Sequence, residues 1–224
     1  KFVRDCARTL VRSSAAPLVV LMLAALPSTT VAQAKAVSPE TREVRALLAG
    51  ADADGVTRAT ALAEALVARE PRSADAHFWL ARCQGATAAS ASSLGSIRWW
   101  RRHGQGLRRA VELEPGHVDA QLALIRFLSR APMLVGGDLD EAGQRQQTLQ
   151  QIDPVAGSLA LAYVRYAHGD LDGALAANYR TIDLDPAHPE GLVALVQVLT
   201  AHRRLPEGAR WIDAAIATDP SDLR

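Results

Sequence analysis

The chain has 224 residues, 25 basic and 24 acidic, with aromatic residues at only 4%. The first 12 residues hold four of the basic and one of the acidic groups, leaving 21 basic against 23 acidic residues in the remainder. A near-neutral body supplies no electrostatic footprint for nucleic acid, which argues against that class of partner.

In chain order, Lys1, Arg4, Arg8 and Arg12 precede an apolar run from Ala15 to Leu26, then Pro27, a polar stretch and Ala32-Gln33-Ala34. Basic, apolar and small-x-small regions in that order predict a secretory signal over 1–34, cleaved, with export to the periplasm of a bacterium. The alternative is an uncleaved inner-membrane anchor at 15–26, although that run is short of the roughly 20 residues of a bilayer crossing. Residues 35–48 are read as a linker or a first helix, and 49–224 as the folded body. With Cys6 in the signal, Cys83 is left without an intramolecular partner, on the apolar side of a predicted helix. It is read as a small buried hydrophobe rather than a reactive thiol.

The body is organised by a repeat. Pro71, Pro115, Pro154, Pro186 and Pro220 each follow an acidic residue, at intervals of 44, 39, 32 and 34 residues. Proline drives the preceding residue out of the helical region, so a helix must end at each of these points. Gly137-Asp138-Leu139-Asp140-Glu141-Ala142 and Gly169-Asp170-Leu171-Asp172-Gly173-Ala174 share a pattern, with Asp138 and Asp170 placed as N-caps and Glu141 placed to complete a capping box. In the last repeat Pro206 takes the first helical turn. Counting 12 residues on from Ala142, Ala174 and Gly208 reaches Pro154, Pro186 and Pro220. Leu192, Leu195, Val196 and Leu199 mark one helical face, and Leu205, Ala209, Ile212 and Ile216 mark the next. Neither helix buries its face alone, so stacking is the expected solution.

Small residues at Ala81, Ala110, Ala142, Ala162, Ala174, Gly208 and Ala215, apolar ones at Leu80, Leu124, Leu161 and Leu195, and the closing prolines resemble the tetratricopeptide repeat over about residues 50 to 220. The resemblance implies an all-α, right-handed superhelical solenoid of about five helix pairs with a concave groove. The two long intervals mark additions: an insert over 85–106 that ends in Trp99-Trp100 among arginines, and the turn Ala131-Pro132-Met133-Leu134-Val135-Gly136. That turn is similar to loops in the transporter-associated periplasmic branch of the superfamily and in the regulator-of-microtubule-dynamics group. The Trp pair is open to a membrane-interface or ligand-stacking role. The favoured reading has the insert folding back to bury one Trp while its arginines face water.

In the family, the first helix of each repeat lines the groove. Its register places Phe78, Arg82, Leu122, Arg126, Arg130, Tyr163, Tyr166 and Gln197, with Leu159 and Val193, on or near that face. Arg and Tyr are anchor types, and Arg grips carboxylates in a bidentate fashion, so an acidic segment or carboxylate is the expected guest. His117-Val118-Asp119 and His188-Pro189-Glu190 repeat at one offset after a proline, which fits acidic residues complementing helix starts rather than a metal site. No metal-protease, paired-cysteine or phosphate-loop motif occurs, and Gly136-Gly137 lacks the Lys and hydroxyl of a phosphate loop. Neither catalytic residues, a metal nor a cofactor is expected. The sequence therefore predicts a non-catalytic scaffold of the cell envelope binding another protein. A small-ligand or transporter-associated component is the alternative, and a hydrolase on the solenoid a distant third.

Overall fold

Eight helix starts among the described residues have a capping side chain that explains them. In the computed structural model, the described residues are 38–50, 52–91, 93–204, 207, 208, 210 and 211, with the side chains of 93 and 94 left aside. The signal segment with Ala32–Ala34 and Cys6 falls outside them, as do Leu205, Pro206, Ala209, Ile212, Ala215, Ile216 and Pro220. Nine α-helices and no strand occur among the described residues: α1 Pro39–Ala49, α2 Ala53–Arg69, α3 Ala74–Ser90, α4 Ser93–Leu113, α5 Val118–Arg130, α6 Leu139–Ile152, α7 Pro154–Ala167, α8 Leu171–Leu184 and α9 Pro189–Ala201. None of them is long and apolar enough to cross a membrane.

The prolines act through one recurring turn. After α2, α4 and α8, the amides of Ser73, His117 and His188 bond back to the carbonyls of Glu70, Glu114 and Asp185, at 3.0, 3.0 and 3.2 Å. Each of these closing residues then caps the next helix: Ser73 Oγ accepts from Ala76 N–H, His117 Nδ1 from Ala120 N–H and His188 Nδ1 from Gly191 N–H. Histidine in the cap position was not anticipated from the sequence, which credited only the acidic residues beside it. Asp153 departs from this turn. It ends α6 and immediately caps α7, accepting from Val155 and Ala156 N–H, with Pro154 as the first helical residue. One residue therefore separates two helices, and the repeat is shortened accordingly.

Successive helices pack as antiparallel hairpins, α1 with α2, α3 with α4, α5 with α6 and α7 with α8. The first helices of neighbouring pairs also touch, α1 with α3, α5 with α7 and α7 with α9. Small residues permit this close approach. Ala59, Ala63, Ala81, Ala110, Ala142, Ala160 and Ala174 are fully buried, and Leu107, Leu124, Leu149, Leu159 and Leu195 fill the layers between them. Trp79 packs against both the α1–α3 core and the α3–α7 core, so the two are continuous. Cys83 is fully buried at α3, and burial pushes its thiol up to about 11, far from reactive thiolate character.

Two expectations are corrected. The surplus at 85–106 is no folded-back insert: it lengthens both helices of one hairpin, giving α3 17 residues and α4 21. Gly106 against Ala81 and Gly104 against Phe127 leave no room for a Cβ, so these glycines are contact points of a tightly packed helix. Trp100 packs on the core, and Arg98 and Arg102 lie over the Trp99 ring at 5.2 and 5.0 Å. The second correction concerns the capping box. Asp138 does cap α6 through Glu141 N–H, but the Glu141 carboxylate turns instead to Arg108 of α4 and to Arg145, the latter at 2.7 Å. These two partners overcome the burial that opposes its charge and hold its pKa below the usual carboxylate range.

The α5–α6 connection is a 3-10 turn, Met133–Val135, closed by Gly136 at φ 107°. Gly137 follows with its amide on Pro132 O at 3.2 Å, and a Cβ there would lie 1.7 Å from Ala131 O. Gly137→Ala is therefore expected to destabilise the fold by about 2–3 kcal/mol. Gly143→Ala, in the middle of α6 with open space around it, should stabilise by about 0.5–1 kcal/mol. Urea unfolding of the two variants checks the contrast.

Candidate functional site: an arginine-lined groove

The face formed by the first helices carries a cavity of about 360 Å³. Helix α1 contributes Arg45, Leu48 and Ala49, α3 contributes Phe78, Trp79 and Arg82, α5 contributes Asp119, Leu122, Ala123 and Arg126, and α9 contributes Glu190. Four of the eight register-derived residues, Phe78, Arg82, Leu122 and Arg126, thus meet in one place. They do so because they recur at a 4-residue spacing on α3 and on α5, and those helices present the same edge to the groove.

The centre of the cavity is a charge network across three helices. Arg126 Nη1 donates to Glu190 Oε1 at 2.5 Å, and Tyr163 Oη donates to the same oxygen at 2.7 Å. Tyr163 is 9% exposed. Burial and the Glu190 charge push its phenol well above the ordinary value, so it remains a neutral donor. Arg82 behaves differently. It makes no hydrogen bond or ion pair with another described residue, although Glu190 and Asp119 attract it from a distance. It reaches water, yet the surrounding wall desolvates it and Arg126 repels it, which lowers its pKa from the usual guanidinium value. Arginine stays protonated under such a shift. Arg82 is a cation with hydrogen-bonding capacity to spare in a cavity also lined by Phe78 and Trp79.

The other candidates fall elsewhere. Arg130, exposed at the end of α5, lines a neighbouring cavity that shares Ala123 and Arg126 with the groove. Tyr166 is 45% exposed, and Gln197 and Val193 are exposed on their helices; none of the three lines either cavity. Leu159 is fully buried and acts as core. Glu190, Asp119, Trp79 and the three α1 residues were missed as site residues. Glu190 had been assigned only to the helix start, and its offset from α5 in sequence hides its pairing with Arg126. No group of three or more His, Cys, Asp or Glu side chains among the described residues is arranged to hold a metal.

With this geometry in view, the comparisons are specific about the scaffold. The tetratricopeptide repeat family profile matches residues 159–222. TTC0263, a thermophilic TPR protein of Thermus thermophilus, superimposes with a TM-score of 0.62 at 21% identity, over 82% of this chain and 93% of its own. The chain has the fold of a tetratricopeptide-repeat solenoid. MamA from Desulfovibrio magneticus RS-1 is a looser match, with a TM-score of 0.46 at 12% identity over 84% of this chain and 100% of that one. No curated protein sequence matches.

Within this fold, His103 on α4 is tied to the groove electrostatically. Its Nδ1–H donates to Ala81 O at 2.7 Å, and its ring meets Trp100 and Phe127 edge-on at 5.7 and 5.4 Å. Burial brings its pKa from 6.5 down to about 4, with Arg82 and Arg126 adding to the effect. Below about pH 6.5 the unfolded chain binds a proton that the folded chain refuses. Stability is thus expected to fall between about pH 6.5 and 4, by roughly 3 kcal/mol at most from this group, and to be insensitive to it above that window. Urea titrations across the window should show the stability difference between the native chain and His103→Gln shrinking as pH drops.

Proposed function

We propose that this protein is a non-catalytic scaffold of the bacterial cell envelope whose groove holds an acidic segment of a partner protein. The observation that carries the reading is Arg82: an uncommitted guanidinium lining the same cavity as Phe78 and Trp79, and as an Arg126 already positioned by Glu190. A carboxylate entering here gains charge-assisted hydrogen bonds from Arg82, and its neighbouring side chains gain apolar area on Leu48, Phe78 and Leu122. Arg45 adds a third positive charge against Asp119 and Glu190, so the cavity lining carries a net charge of +1 and favours an anionic guest. Export to the periplasm belongs to the same reading and is supported by the order of basic, apolar and small-x-small segments over 1–34.

Full-length protein presented with a peptide array is expected to select acidic peptides with an adjacent apolar or aromatic side chain. Arg82→Gln should weaken the selected peptides about tenfold without moving the thermal midpoint, since Arg82 holds no partner in the fold. Selection of neutral or basic peptides, or affinity unchanged by Arg82→Gln, would count against the groove reading. Recovery of a cleaved chain beginning near residue 35 checks the export reading.

A further inference from the structure

Next to the groove, α4, α5 and the α5–α6 turn enclose a second cavity of about 750 Å³, within the size range of small-molecule sites. Its walls are apolar, built from Ile97 and Trp100 of α4, Phe127 of α5, and Leu134 and Val135 of the turn. They are also held in place. Arg101 donates from Nε and Nη2 to Leu134 O at 3.2 and 3.0 Å, fastening the turn to α4 as one wall. Gly104 lets the Phe127 ring lie directly on α4, where His103 bridges it to Trp100. A cavity fixed in this way needs little ordering when a guest enters.

The polar groups give the guest a direction. The charged side chains lining the cavity are Arg126 and Arg130, with no carboxylate among them. Arg130 has no hydrogen-bond or ion-pair partner among the described residues. Arg126 is committed through Nη1 to Glu190 and lies within reach of the Tyr163 hydroxyl, and its other N–H groups form no ion pair among the described residues. At His103, Nδ1–H is used by Ala81 O, so Nε2 is a bare acceptor. An anionic head is therefore repelled at His103 and drawn to the two arginines.

We propose that this cavity binds an apolar monocarboxylate, with the hydrocarbon body on Trp100, Phe127 and Leu134 and the carboxylate held by Arg130 and the remaining N–H groups of Arg126. The site adjoins the peptide groove and shares Ala123 and Arg126 with it. Arg130 lines this cavity alone and Arg82 the groove alone, so the two arginine-to-glutamine tests let either reading fail while the other stands.

Decanoate, 1-decanol and decylamine serve as probes against the full-length protein, by calorimetry and by tryptophan fluorescence, since Trp100 lies in the wall. Decanoate is expected to bind saturably and about tenfold tighter than the alcohol, with the amine weaker still. Arg130→Gln should erase most of the preference over the alcohol, and Leu134→Ser should weaken both. Leu134 is 66% exposed and Arg130 is exposed, so both variants keep the fold. Arg82→Gln should leave decanoate binding unchanged. The proposal is overturned by no saturable decanoate binding up to roughly 1 mM, by equal affinity for the alcohol, by indifference to both Arg130→Gln and Leu134→Ser, or by a loss in Arg82→Gln that matches the loss in Arg130→Gln.

Discussion

One carboxylate organises the inner face of this protein. Glu190, at the start of α9, receives Arg126 from α5 and Tyr163 from α7 on the same oxygen. The three side chains come from three successive hairpins, so the contact sets how neighbouring first helices sit against one another. It also decides which positive charges remain available. Arg126 is partly neutralised and fixed in direction, whereas Arg82 and Arg130 on either side of it are left with open hydrogen-bonding capacity. An ion pair about one-third exposed on both partners is modest in energy. Its importance lies in orientation: a groove lined by free, swinging arginines would lose much of its binding energy to ordering them.

The same logic explains why the site sits on this scaffold. A solenoid hairpin has two faces, one spent on its neighbours and one left over. Buried alanines let neighbouring helices approach closely, as Ala81 does against Gly106 of α4, and the side chains flanking them are left at the groove edge. Phe78 and Arg82 on α3, and Leu122 and Arg126 on α5, are such neighbours of Ala81 and Ala123. The extended hairpin α3–α4 adds a second consequence. Its extra turns carry Ile97 and Trp100 beyond the ordinary repeat, where the α5–α6 turn meets them and closes the neighbouring cavity.

Much of this was legible in the sequence wherever a residue has a local, physical role. Prolines stop helices, Asp138 and Asp170 cap them, and alanines at a fixed offset from proline mark helix contacts. From those marks the register of α3 and α5 follows, and with it Phe78, Arg82, Leu122 and Arg126. Legibility ended where partners lie far apart in the chain. Glu190 is 64 residues from Arg126, and nothing local distinguishes it from other acidic residues at helix starts. Glu141 followed a local rule on paper, yet long-range pairing with Arg108 won. The stretch at 85–106 read as an insert because the interval from Pro71 to Pro115, 44 residues, exceeds one repeat. Its glycines disfavour helix by roughly 1 kcal/mol each. Packing against Ala81 and Phe127 outweighs that propensity. Tyr166 and Gln197 line neither cavity: α7 contributes no residue to either lining, and α9 contributes Glu190 to the groove.

The most direct test of the organising role assigned to Glu190 is a double-mutant cycle in unfolding free energy, using Arg126→Met, Glu190→Gln and the pair together. The account predicts a favourable coupling of about 1 kcal/mol that shrinks with added salt. Strictly additive single changes, with no coupling at low salt, would contradict it.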